Sequence, residues 1–380
     1  MKQQIKINYS TLLFLTLFIT FFSINALPIN PAYILALFLF FISFIFIIKN
    51  NYINSFTLFN FLFANTMLIL FLIWYYLFRD TLIKDVLGIN ILSPLLFILC
   101  IFLGVVSSCF INYFQKNDKV KIYAIIKDIA LYFFIIEFII RFLTSPSYVD
   151  FYSLKETSIF FFDSNFTAIS LTSFLFYYKF LEHKNIYKMS RIKKLSFLIL
   201  LILTFSRAAI LGYFLSLFIL NKKFFKINFF ICISIFIFAI SFFIIIFQNG
   251  YSFVDFDGSL NSKFIIINNA LDIYANMPIY KKVFGIGLGN FEFYADIFAH
   301  NIFVTFLLEF GIVNSVLLII YFFILYKKSD GYVVYILTPT IIIGFSLFSA
   351  YSVSLFIFSN LITCEILAQK HRSFYEKLRS

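Results

Sequence analysis

Three glycines at alternate positions, Gly285, Gly287 and Gly289, lead into Asn290, the carboxylates Glu292 and Asp296, and the pair His300-Asn301. They lie in residues 283–314, VFGIGLGNFEFYADIFAHNIFVTFLLEFGIVN, whose apolar continuation is broken by Glu309 and Gly311. Histidine, with an ordinary pKa near ~6.5, suits the removal of a proton from an acceptor hydroxyl. The chain has only three His, and this one sits beside two carboxylates. His300, Glu292 and Asp296 therefore form the candidate catalytic set, against the plainer reading of a structural histidine at an interface. The glycine alternation is not a dinucleotide fingerprint, which requires a preceding strand and a following helix in a βαβ unit. A turn bringing backbone close to a ligand or a neighbouring helix fits better. Gly287, Gly289 and Asn301 are accordingly candidates for contact with substrate.

Arg207, in LTFSRAAIL, is the second candidate. An arginine inside an apolar segment is costly and faces a cavity or a partner. It either pairs with an acidic residue or clamps a diphosphate through bidentate hydrogen bonds. Arg141 follows Glu137 by four positions, so the two either pair along one helix face or line a substrate channel. Lys263, Lys281 and Lys282 are cations that suit a solvated or headgroup-facing surface.

These residues are set in a very apolar chain. Hydrophobic residues make up 62% of 380, charged residues 13%, and mean hydropathy is +0.97. Such values exclude an ordinary soluble domain. The runs are continuously apolar over about 20 positions, which predicts helices rather than the alternating strands of an outer-membrane barrel. The net charge of +12 is a matter of Lys and Arg sidedness, not of nucleic-acid binding. Cys100, Cys109, Cys232 and Cys364 show no CxxC spacing, so no metal site, cofactor or disulfide framework is indicated.

Hydrophobicity predicts spans at 11–27, 33–48, 56–78, 91–114, 122–143, 159–180, 229–247, 302–326, 333–347 and 352–367. Residues 195–220 are too short for two full spans. Lysines and arginines flank them on both sides (Lys193, Lys194; Lys222, Lys223), and a single span would leave Arg207 near mid-bilayer, at a cost of about 2.5–3.5 kcal/mol. The stretch is therefore read as a hairpin of two short helices turning near Ser206-Arg207. The expected fold is all-α: one polytopic domain, 1–380, of about 12 membrane segments with both termini cytoplasmic. Most of the 30 basic residues then lie inside, and residues 248–300 form a long extracytoplasmic loop. Within it, NSKFIIINNALDIYANMP predicts a short interfacial helix ended by Pro278.

The order of TFSRAAILG, a long outer loop, FGIGLGNF and AHNIFVTFLLEFG resembles the O-antigen polymerase and ligase superfamily. The resemblance implies a metal-independent glycosyltransferase that uses a glycan on undecaprenyl diphosphate at the outer face of the bacterial inner membrane. It implies His300 as base, in an H-N-x9-G pattern with Asn301 and Gly311, and Arg207 as the diphosphate holder. Lys263 stands where the family often has a second arginine. After Gly311 the chain reads GIVNSV rather than the ligase G-x-x-G-T-G, which favours a polymerase joining repeat units. The alternative is a ligase moving finished glycan to lipid A core or protein. A flippase is disfavoured, because internal repeats are absent and the polar groups gather at one face. The implied partners are the lipid-linked oligosaccharide, membrane lipids and a chain-length regulator protein.

Overall fold

The computed structural model describes residues 9–24, 27–50, 54–78, 87–111, 114, 119–145, 154, 157–158, 163–220, 258–295, 297, 299, 301–350 and 352–379. All regular structure among them is helical. The main helices are α1 (Tyr9–Phe18), α2 (Pro31–Asn50), α3 (Ser55–Phe78), α4 (Leu87–Ser108), α5 (Lys119–Thr144), α6 (Ser164–His183), α7 (Arg191–Ile202) and α8 (Arg207–Ile219). After a gap come α9 (Gly258–Asn276), α10 (Ile279–Phe284), α11 (Phe291–Ala295), α12 (Ile302–Val304), a π-turn Thr305–Glu309, α13 (Gly311–Lys328), α14 (Val334–Gly344) and α15 (Val353–Arg379). The predicted span at 229–247 lies outside the described residues.

Among the described residues three stretches, Ser55–Trp74, Gly311–Lys328 and Val353–Lys370, are long and apolar enough to cross a membrane. Five shorter apolar helices accompany them. The outward side of α13 shows what its surroundings must be: Ile312, Val316, Ile319, Ile320 and Phe323 are all exposed. A contiguous aliphatic face of that size suits lipid rather than water. The opposite case is α15, whose side chains from Val353 to Ile366 are buried, and which packs on α4, α6, α13 and α14. It is the axis of the bundle.

Side-chain bonds fix the two ends of that bundle. At one end Lys119 bridges Glu365, Lys193 pairs with Asp128, Lys194 with Glu182 and Lys370 with Asp330. Lys184 lies over the Tyr332 ring at 3.7 Å, and Thr57 donates to the Ser108 carbonyl at 3.2 Å. This lysine-rich end collects the starts of α3, α5, α7 and α14 and the ends of α4, α6 and α13. The opposite end collects the ends of α3, α5, α7 and α14 with the starts of α4, α6, α8, α13 and α15. Consecutive helices thus run in alternating directions from α3 to α8 and from α13 to α15.

The predicted hairpin is present. Phe197 of α7 stacks near Phe174 of α6, the Thr204 carbonyl accepts from Ser164 at the start of α6 at 2.7 Å, and Tyr213 of α8 returns to Phe176. The chain climbs along α6, turns, and descends beside it. Helices of 12 and 13 residues are each only about 18–20 Å long at 1.5 Å per residue, short of a full crossing.

One predicted span is corrected. Residues 302–326 do not form one helix: a π-turn, closed by Phe310 N donating to the Thr305 carbonyl at 2.9 Å, is followed by Gly311 at φ 67°. That left-handed residue ends one helical segment and starts the next. Helix α1 is also shorter than the predicted 11–27, and α14 is shorter than 333–347.

Candidate functional site

The two motifs that carry the candidate residues meet on one helix end. On the α8 side, Gly212 faces Ile343, so closely that an added Cβ would lie 2.4 Å from its side chain. On the other side Asn301 donates through Nδ2 to the Phe345 carbonyl at 2.7 Å, and Ile302 abuts Gly344. The last turn of α14 and the residue after it are therefore the wall between TFSRAAILG and HNIF, about ninety positions apart in sequence. Asn301 is buried and caps α12, its Oδ1 accepting from Phe303 N at 2.8 Å and Val304 N at 3.5 Å. Both ends of its amide are engaged within the fold. His300 and Asp296 lie outside the described residues.

Arg207 is the first residue of α8 and is exposed. Before it, Phe205 takes a left-handed φ of 54°, a conformation costing on the order of 1–3 kcal/mol for a non-glycine residue. Ser206 is the N-cap, yet it makes no side-chain cap bond; its buried hydroxyl has no partner among the described residues. The first amides of a helix likewise have no partner within it. A buried hydroxyl without a partner among the described residues and an exposed guanidinium thus share one helix start, an arrangement suited to an oxyanion.

Arg141 and Glu137 pair along α5 as the spacing predicted, Nε to Oε1 at 3.5 Å, and both are buried. Ser158 extends the cluster, donating to Glu137 Oε1 at 2.9 Å and bonding Thr167 of α6 at 2.7 Å. Arg141 Nε and Nη1 nonetheless lack hydrogen-bond partners among the described residues.

The glycine segment docks on the π-turn, so a neighbouring helix is its partner. Ile286 N and Gly287 N donate to the carbonyls of Leu308 (2.8 Å) and Glu309 (3.0 Å). The Glu309 carboxylate, only 4% exposed, accepts from Gly289 N at 3.0 Å and Phe291 N at 3.4 Å, holding the start of α11. Trp74 donates through Nε1 to the Gly285 carbonyl at 3.0 Å, Asn314 Nδ2 reaches the Phe284 carbonyl at 3.4 Å, and Gly287 and Gly289 lie against Trp74 and Ser93. Glu309, Trp74, Asn314 and the Ser206 hydroxyl are the contributors that motif reading missed; the available signals were a lone Trp and a carboxylate interrupting an apolar run. Helix α11 carries Glu292, whose partial burial pushes its carboxyl above the usual glutamate range. Helix α9, which carries half-buried Lys263, packs on α11 and α12.

Gly285 and Gly311 touch backbone to backbone. A methyl added at Gly285 would stand 2.3 Å from the Glu309 carbonyl, on a residue already at φ 83°. Gly285→Ala is therefore expected to undock the segment. The chain's single Trp reports this directly: its emission shifts to the red and the thermal midpoint falls. Gly331→Ala is also strained, at φ 81°, but lies against Tyr326 rather than the indole, so it should keep the wild-type emission.

No protein-family model and no curated protein matches this chain.

Proposed function

We propose that the chain is a multi-pass enzyme of the bacterial inner membrane that joins undecaprenyl-diphosphate-linked oligosaccharide repeat units at the outer face. The observation that carries this reading is the convergence of the Ser206-Arg207 helix start and the Asn301 cap on the end of α14. One offers an oxyanion site and the other fixes the residue beside the proposed base. The gathering of lysines at the opposite end supports a cytoplasmic placement for that end by the positive-inside rule. In this reading about 12 segments cross or enter the membrane, both termini are cytoplasmic, and residues 248–300 lie outside.

The chemistry is a displacement at the anomeric carbon of the donor. The bond from that carbon to the diphosphate oxygen breaks, and a bond to an acceptor hydroxyl oxygen forms. His300 takes the hydroxyl proton, with Glu292 and Asp296 beside it in sequence. The departing polyprenyl diphosphate is met by Arg207 and the Ser206 hydroxyl, with Lys263 as a further cation; Arg141, buried against Glu137, is spent on that pair. Diphosphate is already a good leaving group, so neither a metal nor a nucleotide is obligatory.

Disrupting the gene in the source cell distinguishes the reactions. Loss of a polymerase leaves single repeat units on lipid carrier and on any final acceptor. Loss of a ligase instead leaves long chains stranded on undecaprenyl diphosphate, and an unchanged glycan profile contradicts both.

A further inference from the structure

The α7–α8 hairpin turns two aliphatic stripes outward. On α7 the exposed residues are Ile192, Leu195, Ile199 and Ile202; on α8 they are Leu211, Phe214, Leu215 and Phe218. Each set is spaced as one helix face. The opposite faces are taken up by the bundle, with Phe197 against Phe134 of α5 and Phe174 of α6 and Gly212 against Ile343 of α14. Stripes of this kind, like the outward side of α13, suit lipid rather than water.

The hairpin is nevertheless too short for the lipid it faces. Lys193, near the start of α7, pairs with Asp128 of α5, which sets the two helices at one level. From there α5 continues to Thr144, about 24 Å further at 1.5 Å per residue, whereas α7 ends at Ile202 after about 14 Å. The turn that follows is tied to the start of α6 by Ser164 donating to the Thr204 carbonyl at 2.7 Å, so the fold fixes its height. Against a hydrocarbon core of about 30 Å, the hairpin stops roughly 10 Å short. Its tip is polar. Arg207 is exposed there, the Ser206 hydroxyl is buried beside it, and Asp163 caps α6 at the same height, accepting from Asn165 N at 2.8 Å. An exposed guanidinium that deep in hydrocarbon would be costly. Short apolar segments are accommodated by local thinning of the bilayer, and water and headgroups are drawn toward such a charge.

We propose that the bilayer thins beside this hairpin, so that outer-leaflet headgroups come down to the Ser206-Arg207 turn and a lipid-borne diphosphate reaches Arg207 sideways from the membrane. The carrier tail stays in the leaflet and only the diphosphate enters the site. The proposal deepens the function proposed above and rests on the turn lying at the outer face.

Its test uses the purified full-length protein in dioleoylphosphatidylcholine vesicles, with a nitroxide at Leu211→Cys, one turn below Arg207, or at Ile319→Cys, midway along the outward side of α13. The signal of the labelled, unsubstituted chain is subtracted, and wild-type Trp74 emission verifies each fold. Depth is read from collisions with oxygen, which concentrates in hydrocarbon, against those with a water-soluble nickel chelate. An unthinned bilayer would put both labels near its midplane. The ratio of nickel to oxygen collisions at 211 is expected to exceed that at 319 several-fold, and equal ratios overturn the proposal.

Entry from the bilayer is read at Ala208→Cys, as the rate of alkylation by an impermeant maleimide less that of the unsubstituted chain. Undecaprenyl diphosphate in the same vesicles should slow it, by about tenfold at a concentration of about 10 Kd, and the same amount held in separate vesicles should not. Equal slowing from separate vesicles overturns sideways entry. If the collision ratios are equal and 208 is still protected, the thinning fails and the diphosphate site stands. A thinned sector without protection at 208 removes both the donor route and the diphosphate site.

Discussion

His300→Ala is expected to lower turnover by roughly 10²–10⁴-fold, the usual worth of a positioned acid or base. Donor binding should be largely retained, because the diphosphate is assigned to α8. A base must be neutral to accept a proton, so activity should rise with pH through the imidazole pKa and then level off. A carboxylate brought beside the imidazole would raise that pKa by favouring the imidazolium and move the rise to higher pH. Glu292→Gln should then shift the rise downward. His300→Gln keeps a hydrogen-bond acceptor but cannot take the proton. Near-normal polymer from the Gln variant, with an unchanged pH profile, would reduce His300 to a positioning residue and move the search to Glu292, whose carboxyl is already pushed up by burial, and to Asp296.

Arg207→Lys is expected to lose most activity although the charge is kept. A lysine is a point charge, whereas the guanidinium presents parallel donors that match phosphate oxygens. Removing one donor to a developing charge typically costs about 10²–10³ in turnover, and Arg207→Ala should be at least as damaging. Ser206→Ala isolates the hydroxyl. Because Ser206 makes no cap bond, the substitution should leave the thermal midpoint unchanged while weakening catalysis. Wild-type polymer from the Lys variant, together with a lowered midpoint for Arg207→Ala, would instead describe an arginine that only fixes the hairpin.

Much of this was legible from side-chain chemistry along the chain. Basic flanks on both sides of 195–220 announced the hairpin, since charge and length together allow one solution. Pro278 marked a helix boundary, and it now stands as N-cap of α10. The alternation of three glycines announced a close backbone approach. Its partner was not legible, because the Glu309 carboxylate lies twenty residues downstream and the Trp74 indole more than two hundred upstream. Hydropathy also merged 302–326 into one span. A π-turn and a glycine at positive φ leave no mark on hydrophobicity, only the isolated polar letters Glu309 and Gly311.

The central claim is tested most directly by incubating the purified full-length protein, in lipid, with polyprenyl-diphosphate-linked repeat unit and a chelator. The account predicts a ladder of lipid-linked products differing by one repeat, with one polyprenyl diphosphate released per bond formed. Arg207→Lys and His300→Ala should each flatten that ladder. Unextended substrate alongside a correctly folded protein, judged by wild-type Trp74 emission, would contradict it.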